Sequence, residues 1–145
     1  EQSSVLSAVH VPMGGGGLVS GVATVVKALR PSVRVVGVEP EGAPKMTRSR
    51  AAGAPVTLER THSIADGLMS IRPGDLTFAH VQALVDDLAT VTDAQIAGAV
   101  RWLFEHANVV AEPSGAASVA AVLAAPAVPP GAVAVVSGGN VVAAD

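Results

Sequence analysis

A doubly wound α/β fold, with a mostly parallel sheet and helices on both faces, is predicted for this 145-residue chain by three observations. Short valine-rich runs alternate with longer stretches of helical periodicity. Four successive glycines, Gly14 to Gly17, stand where the first apolar run gives way to a helix. Two strands joined through a single helix imply parallel pairing with a right-handed crossover. With 50% apolar residues, the chain is long enough for one domain, 1–145, with a proper core.

The elements follow in order. Val5 to Met13 is a short β-rich run, and Leu18 to Leu29 carries Leu18, Val22, Val25, Val26 and Leu29 at helical spacing. Pro31 stops that helix, and Val33 to Val38 reads as a second buried strand ending at Glu39-Pro40. Ala43 to Gly53 suits a short polar helix. Residues 54–62 are irregular, with a brief extended piece at Val56-Thr57-Leu58, and Ser63 to Leu68 is either a helix start or a loop approaching a ligand. Beyond the Pro73-Gly74 turn, Leu76 to Val85 is amphipathic and Leu88 to Val91 is a short strand. Thr92 caps a helix from Asp93 to His106, with Gln95 completing a capping box. Ala116 to Ala125 is a small-residue helix, buried nearly all round by its composition, and Val133 to Val136 is the last strand.

Composition narrows the function. A net charge of -3, with the nine Lys and Arg residues spread singly, offers no basic stripe for nucleic acid or an anionic membrane. Phe78, Trp102 and Phe104 are the only aromatic residues, so base-stacking platforms are lacking, and Trp102 and Phe104 fit helix packing. No apolar run approaches the roughly 18 residues of a membrane span. The chain has no cysteine, which excludes disulfides and thiolate metal sites and fits a cytoplasmic protein. His10, His62, His80 and His106 lack metal-ligand spacing, and Asp86-Asp87 reads as a solvated turn.

The glycine run is the chemical centre of the sequence. Without Cβ atoms, successive glycines can turn several backbone N–H groups onto one concave surface, and a helix starting at about Leu18 adds its own unpaired N–H groups and positive dipole end. The result is an anion cradle, with phosphate its commonest occupant. A flexible linker or a plain tight turn is the alternative for such a run. In open α/β sheets ligands bind beyond the carboxyl ends of the strands, where both the glycines and Glu39 fall.

Five landmarks stand in one order: the tetraglycine turn, Glu39-Pro40, Ile64-Ala65-Asp66-Gly67, Glu112-Pro113-Ser114-Gly115-Ala116-Ala117 and Ser137-Gly138-Gly139-Asn140. Together they resemble the threonine ammonia-lyase and serine racemase family of pyridoxal-phosphate enzymes, of the tryptophan-synthase-β-like fold, over essentially the whole chain. The resemblance implies that Gly14, Gly15, Gly16 and Gly17, with the helix start at Leu18, bind the 5′-phosphate through backbone N–H groups. It implies that Ser137, beside Gly138, hydrogen-bonds the pyridine nitrogen. A hydroxyl does not hold that nitrogen protonated, which favours elimination and racemisation over transamination. It implies further that Gly67 approaches the cofactor through its backbone, while Glu112 either tunes the ring electrostatics or caps the helix that follows.

The same resemblance implies a cation site for Mg2+, Ca2+ or a monovalent ion, with Glu39 and the carbonyl of Ala43 as ligands. Where serine racemases carry an aspartate two residues beyond the alanine, this chain has Lys45, whose ammonium would occupy the site or repel the cation. Glu39 is then a solvated or Lys-paired carboxylate. The family's Schiff-base lysine lies in a Ser-x-Lys-x-Arg-Gly type motif upstream of the glycine loop, and no such motif occurs here. Lys27 sits about 15 Å along its helix from the phosphate end, too far to serve, and Lys45 does not match the position either. No catalytic lysine is therefore assigned, and the chain is expected to be the C-terminal portion of a longer enzyme, inactive without its N-terminal part. Expected partners are that part, a small hydroxy amino acid and further copies in a homo-oligomer. The expected reaction is deamination of threonine or serine to a 2-keto acid. Racemisation of a hydroxy amino acid is the alternative, and a non-catalytic domain binding phosphate-bearing ligands is the alternative of another class.

Overall fold

The computed structural model describes residues 5–141; the ends of the expected 1–145 domain lie outside the described residues. Among the described residues, ten elements follow the order β1 (Ala8–Pro12), α1 (Gly17–Leu29), β2 (Arg34–Pro40), α2 (Lys45–Ala52), a 3-10 turn (Asp66–Leu68), α3 (Asp75–Leu84), β3 (Asp87–Val91), α4 (Asp93–Ala107), α5 (Pro113–Ala124) and β4 (Ala132–Ala134). The sheet order is β3-β2-β1-β4, and every pairing is parallel.

The core lies on both faces of this sheet, as strand alternation requires. Val9, Val11 and Val35 meet Val19 and Ala23 of α1 and Phe78 and Val81 of α3 on one face. Val36 and Val38 meet Ile96, Ala99 and Leu103 of α4 and Ala116, Ala117 and Ala120 of α5 on the other. Alanine and glycine let α5 lie close to the strands, and Ser114 through Ala120 are all buried.

Several element boundaries depart from the expected ones. α5 begins three residues early because Pro113 occupies its first turn, where a proline lacks no needed N–H. β4 spans only three residues, and Val56-Thr57-Leu58 joins no strand. The Thr92 capping box is formed, with Gln95 N–H on the Thr92 hydroxyl at 3.2 Å and the Gln95 amide oxygen on Thr92 N–H at 2.8 Å. Trp102 and Phe104 do not pack inward. They stand 39% and 64% exposed on α4, and Trp102 stacks on His106 one turn later.

The topology positions the site. From β1 the chain steps to β2 and β3, then returns to place β4 on the other side of β1. Loops leaving the carboxyl ends of β1 and β4 therefore diverge, and the crevice between them is the topological switch point at which such sheets bind ligands.

Candidate cofactor-binding site

The glycine turn starts in register. Met13 N–H donates to the Val38 carbonyl at 2.8 Å, extending the sheet to the edge of the turn. Two of the four glycines are demanded by their surroundings. Gly14 passes so close to the 3-10 turn that a Cβ on it would lie 3.0 Å from the Gly67 carbonyl oxygen. Gly16 adopts a left-handed conformation, φ 99°, and a Cβ there would meet Thr77 at 2.9 Å. The Thr77 hydroxyl donates to the Gly15 carbonyl at 2.6 Å, so the first turn of α3 braces the loop from outside.

The other two glycines face open space. A Cβ on Gly17 would have no neighbour within 4 Å, and one on Gly15 would reach only the Ser70 hydroxyl, at 4.0 Å. Both line a cleft of about 320 Å3. α1 starts at Gly17 with no side-chain cap, so its first-turn N–H groups, which have no partner within the helix, remain available to an anion.

The opposite wall comes from the 3-10 turn, α5 and the segment after β4. Gly67, Leu68, Glu112, Ser114 and Ser137 line the same cleft as Gly14 through Leu18. Gly67 N–H donates to Ser114 Oγ at 2.9 Å, and that hydroxyl donates to the Asp66 carboxylate at 3.3 Å. Glu112 makes no side-chain cap for α5. Its carboxylate accepts from Asn140 N–H at 3.1 Å, and its backbone N–H donates to the Gly138 carbonyl at the same distance. Glu112 thus holds the Ser137–Asn140 segment in place, with Gly138 packed against its carboxylate and Ser137 presented to the cleft.

The structure brings together all nine residues expected at the cofactor; Gly138 stands behind Ser137 and the other eight line the cleft. It adds Ser114 and Thr77, which sequence reasoning missed. Ser114 follows the Glu-Pro that opens α5, a helix-start position that could have flagged it, whereas Thr77 carried no such signal. These groups fit pyridoxal phosphate: a glycine-walled cradle with N–H donors and no Cβ in the way, facing a hydroxyl.

Glu39 and the Ala43 carbonyl also converge, but the group they meet is the Lys45 ammonium, at 3.3 and 3.2 Å. Glu39 Oε1 accepts Met46 N–H at 2.8 Å, and Oε2 accepts Thr47 N–H at 2.9 Å and the Thr47 hydroxyl at 2.8 Å, capping α2 from the end of β2. The expected metal reading of Glu39 and Ala43 is corrected accordingly: with a cation already present and only one carboxylate, these residues do not fit a metal ion. Among the described residues no group of three or more His, Cys, Asp or Glu is placed to hold one.

The remaining polar residues are engaged elsewhere. Asp86 accepts from Lys27 at 2.8 Å and from Val35 N–H at 2.7 Å, and Asp87 pairs with Arg34. Lys27 also donates to the Val33 carbonyl at 2.9 Å, so neither lysine of the chain faces the cleft. A larger hollow of about 530 Å3, edged by Glu41, Arg48, Glu59, Arg60 and His62, shares no residue with the glycine cleft.

Known proteins share this architecture. The family model described as pyridoxal-phosphate dependent enzyme matches residues 1–138. The chain belongs to that family. It is similar to the serine racemase of Arabidopsis thaliana, 45% identical over 123 residues, covering 85% of this chain and 37% of the relative. It is 46% identical over 115 residues to the L-threonine ammonia-lyase of Thermotoga maritima, covering 79% of this chain and 29% of that one. Among solved structures, maize serine racemase superposes with a TM-score of 0.90 at 41% identity, over 97% of this chain and 44% of that one. Threonine deaminase isoform 2 from Solanum lycopersicum gives 0.92 at 35% identity, over 97% and 42%. The chain thus spans about a third of the length of these curated relatives and less than half of these structures. No helix among the described residues is long and apolar enough to cross a membrane.

Proposed function

We propose that the protein containing this chain deaminates threonine or serine with the help of pyridoxal phosphate, releasing ammonium and 2-oxobutanoate or pyruvate. The observation that carries this reading is Ser137, a neutral hydroxyl presented to the cleft opposite the glycine turn. When bound, the cofactor supplies an electron sink for the amino acid's α-carbon. The chain's own residues set how that sink is used. Backbone N–H groups from Gly14 to Leu18 hold the phosphate, and the positive end of α1 adds to their attraction. The Ser137 hydroxyl would face the ring nitrogen, without carrying a charge that would keep it protonated. Glu112 keeps the Ser137 segment in position through Asn140 and Gly138. Gly67, pinned by Ser114, closes the other side with backbone alone.

The amine that moves the α-proton and the loop that grips the substrate carboxylate are assigned in this reading to a part of the protein other than these 145 residues. Lys27 and Lys45 are committed to Asp86 and to buried oxygens. The similarity to Arabidopsis serine racemase supports racemisation as a second reading, for which this chain would supply the same cradle. Incubating the whole protein with pyridoxal phosphate and L-threonine or L-serine separates these readings. Accumulation of 2-keto acid and ammonium supports deamination; D-serine without keto acid on chiral chromatography supports racemisation. Cofactor binding with neither product would leave a phosphate-ligand-binding protein.

A further inference from the structure

We propose that the Lys45 ammonium is a built-in cation beneath the cleft, taking the place of a metal ion, and that the protein is therefore indifferent to metals. Its Nζ lies 2.9 Å from the Leu68 carbonyl, 3.1 Å from that of Met13, 3.2 Å from that of Ala43 and 3.3 Å from Glu39 Oε1. Lys45 is fully buried, as is Glu39. All four neighbours are acceptors. A neutral amine would aim its lone pair at oxygens that cannot donate to it, whereas an ammonium has three protons and no lone pair to satisfy.

The oxygens come from three separate stretches of chain. Met13 immediately precedes the glycine turn, Leu68 immediately follows Gly67, Glu39 stands at the end of β2, and Ala43 leads into α2. One charge thereby ties the floors of both cleft walls at the place where Gly14 and Gly67 touch. Carbonyls converging from several loops around a buried positive charge make the coordination of a hard cation, here supplied by the first residue of α2. A second cation in the same space would face the ammonium at close range in a medium that screens it poorly. It would also find the Glu39 oxygens occupied by the α2 N–H groups. Burial pushes the Lys45 pKa down from the usual 10.5, and the Glu39 carboxylate opposes that shift.

The cage itself is read from geometry alone; only its service to the cofactor cleft rests on the function proposed above. The test is thermal and does not depend on turnover, so a missing keto acid would leave it standing. The thermal midpoint of the whole protein is measured in EDTA and in Na+, K+, Mg2+ and Ca2+ at matched ionic strength, with elemental analysis of the purified protein. The expected result is one midpoint throughout and no bound metal. Lys45→Ala should lower the midpoint and Lys45→Asp should make it rise with Mg2+ or Ca2+, because the cage then lacks its cation. A wild-type midpoint that falls in EDTA and recovers with one cation, or a stoichiometric metal lost on Glu39→Gln, would overturn the proposal. If the Lys45 variants fail to fold, the wild-type arms decide by themselves.

Discussion

Gly115, in the first turn of α5, and Gly138, after β4, touch backbone to backbone. A Cβ on Gly115 would lie 2.5 Å from the Gly138 carbonyl oxygen and 2.7 Å from its nitrogen. The contact joins the helix that carries Ser114 to the segment that carries Ser137, so both serines of that wall of the cleft are placed by one approach.

Gly115→Ala should therefore cost about 1–3 kcal/mol, the range for forcing a methyl group into a packed interior. Because the atoms in its way are backbone, the relief is a shift of the Ser137 segment. Urea denaturation should show the loss of stability, and pyridoxal phosphate affinity should fall with it. An unchanged denaturation midpoint would refute the close approach.

The four glycines of the turn should divide into two classes. Gly16→Ala places a side chain at φ 99° and against Thr77, costing roughly 1–2 kcal/mol for the left-handed backbone alone. Gly17→Ala meets nothing in the chain and should leave the melting temperature within the usual scatter of surface changes, about 0.5 kcal/mol. Its methyl group nevertheless borders the phosphate cradle, so cofactor binding should weaken. Calorimetric melts and cofactor titrations of both variants read the contrast directly.

Two groups set the pH response. Burial lowers the His10 pKa below 6.5, against the pull of the Val133 backbone and Asp87. The unfolded chain then takes up this proton first, so stability falls as pH drops from about 6.5 through the lower folded value. Partial burial pushes Asp86 up, but Lys27 and Val35 N–H outweigh it and hold the pKa below 3.8. Its contribution is present above that value and lost as pH falls below it. Denaturation between pH 7 and 5 should show a stability slope that His10→Gln flattens, whereas Asp86→Asn should lower stability evenly across that range and change the slope only on the more acidic limb.

How much of this could be read in advance follows from range. The glycine turn and the Thr92 cap depend on neighbours a few residues away, and the parallel pairing of β1 with β2 follows from the single helix that joins them; each stands in the fold as expected. Lys45 was expected to occupy or repel the cation beside Glu39 and Ala43, and it does occupy that place; the Met13 and Leu68 carbonyls that complete its cage come from residues 32 and 23 positions distant, beyond the reach of local pattern. Thr77 meets Gly15 across 62 positions and Ser114 meets Gly67 across 47, contacts that periodicity does not encode. Trp102 was expected to serve helix packing, yet α4 turns Ile96, Ala99 and Leu103 inward and leaves the indole 39% exposed. Glu112 was left between two roles, and its hydrogen bond to Asn140 favours a third, that of positioning the Ser137 segment.

The most direct test of the cofactor cleft follows the phosphorus resonance of pyridoxal 5′-phosphate as it is titrated with the whole protein. Saturable binding that Gly17→Asp abolishes, by placing a carboxylate against the phosphate, and that Lys27→Ala leaves intact is the predicted result. A resonance that does not move, or binding that survives Gly17→Asp, would contradict it.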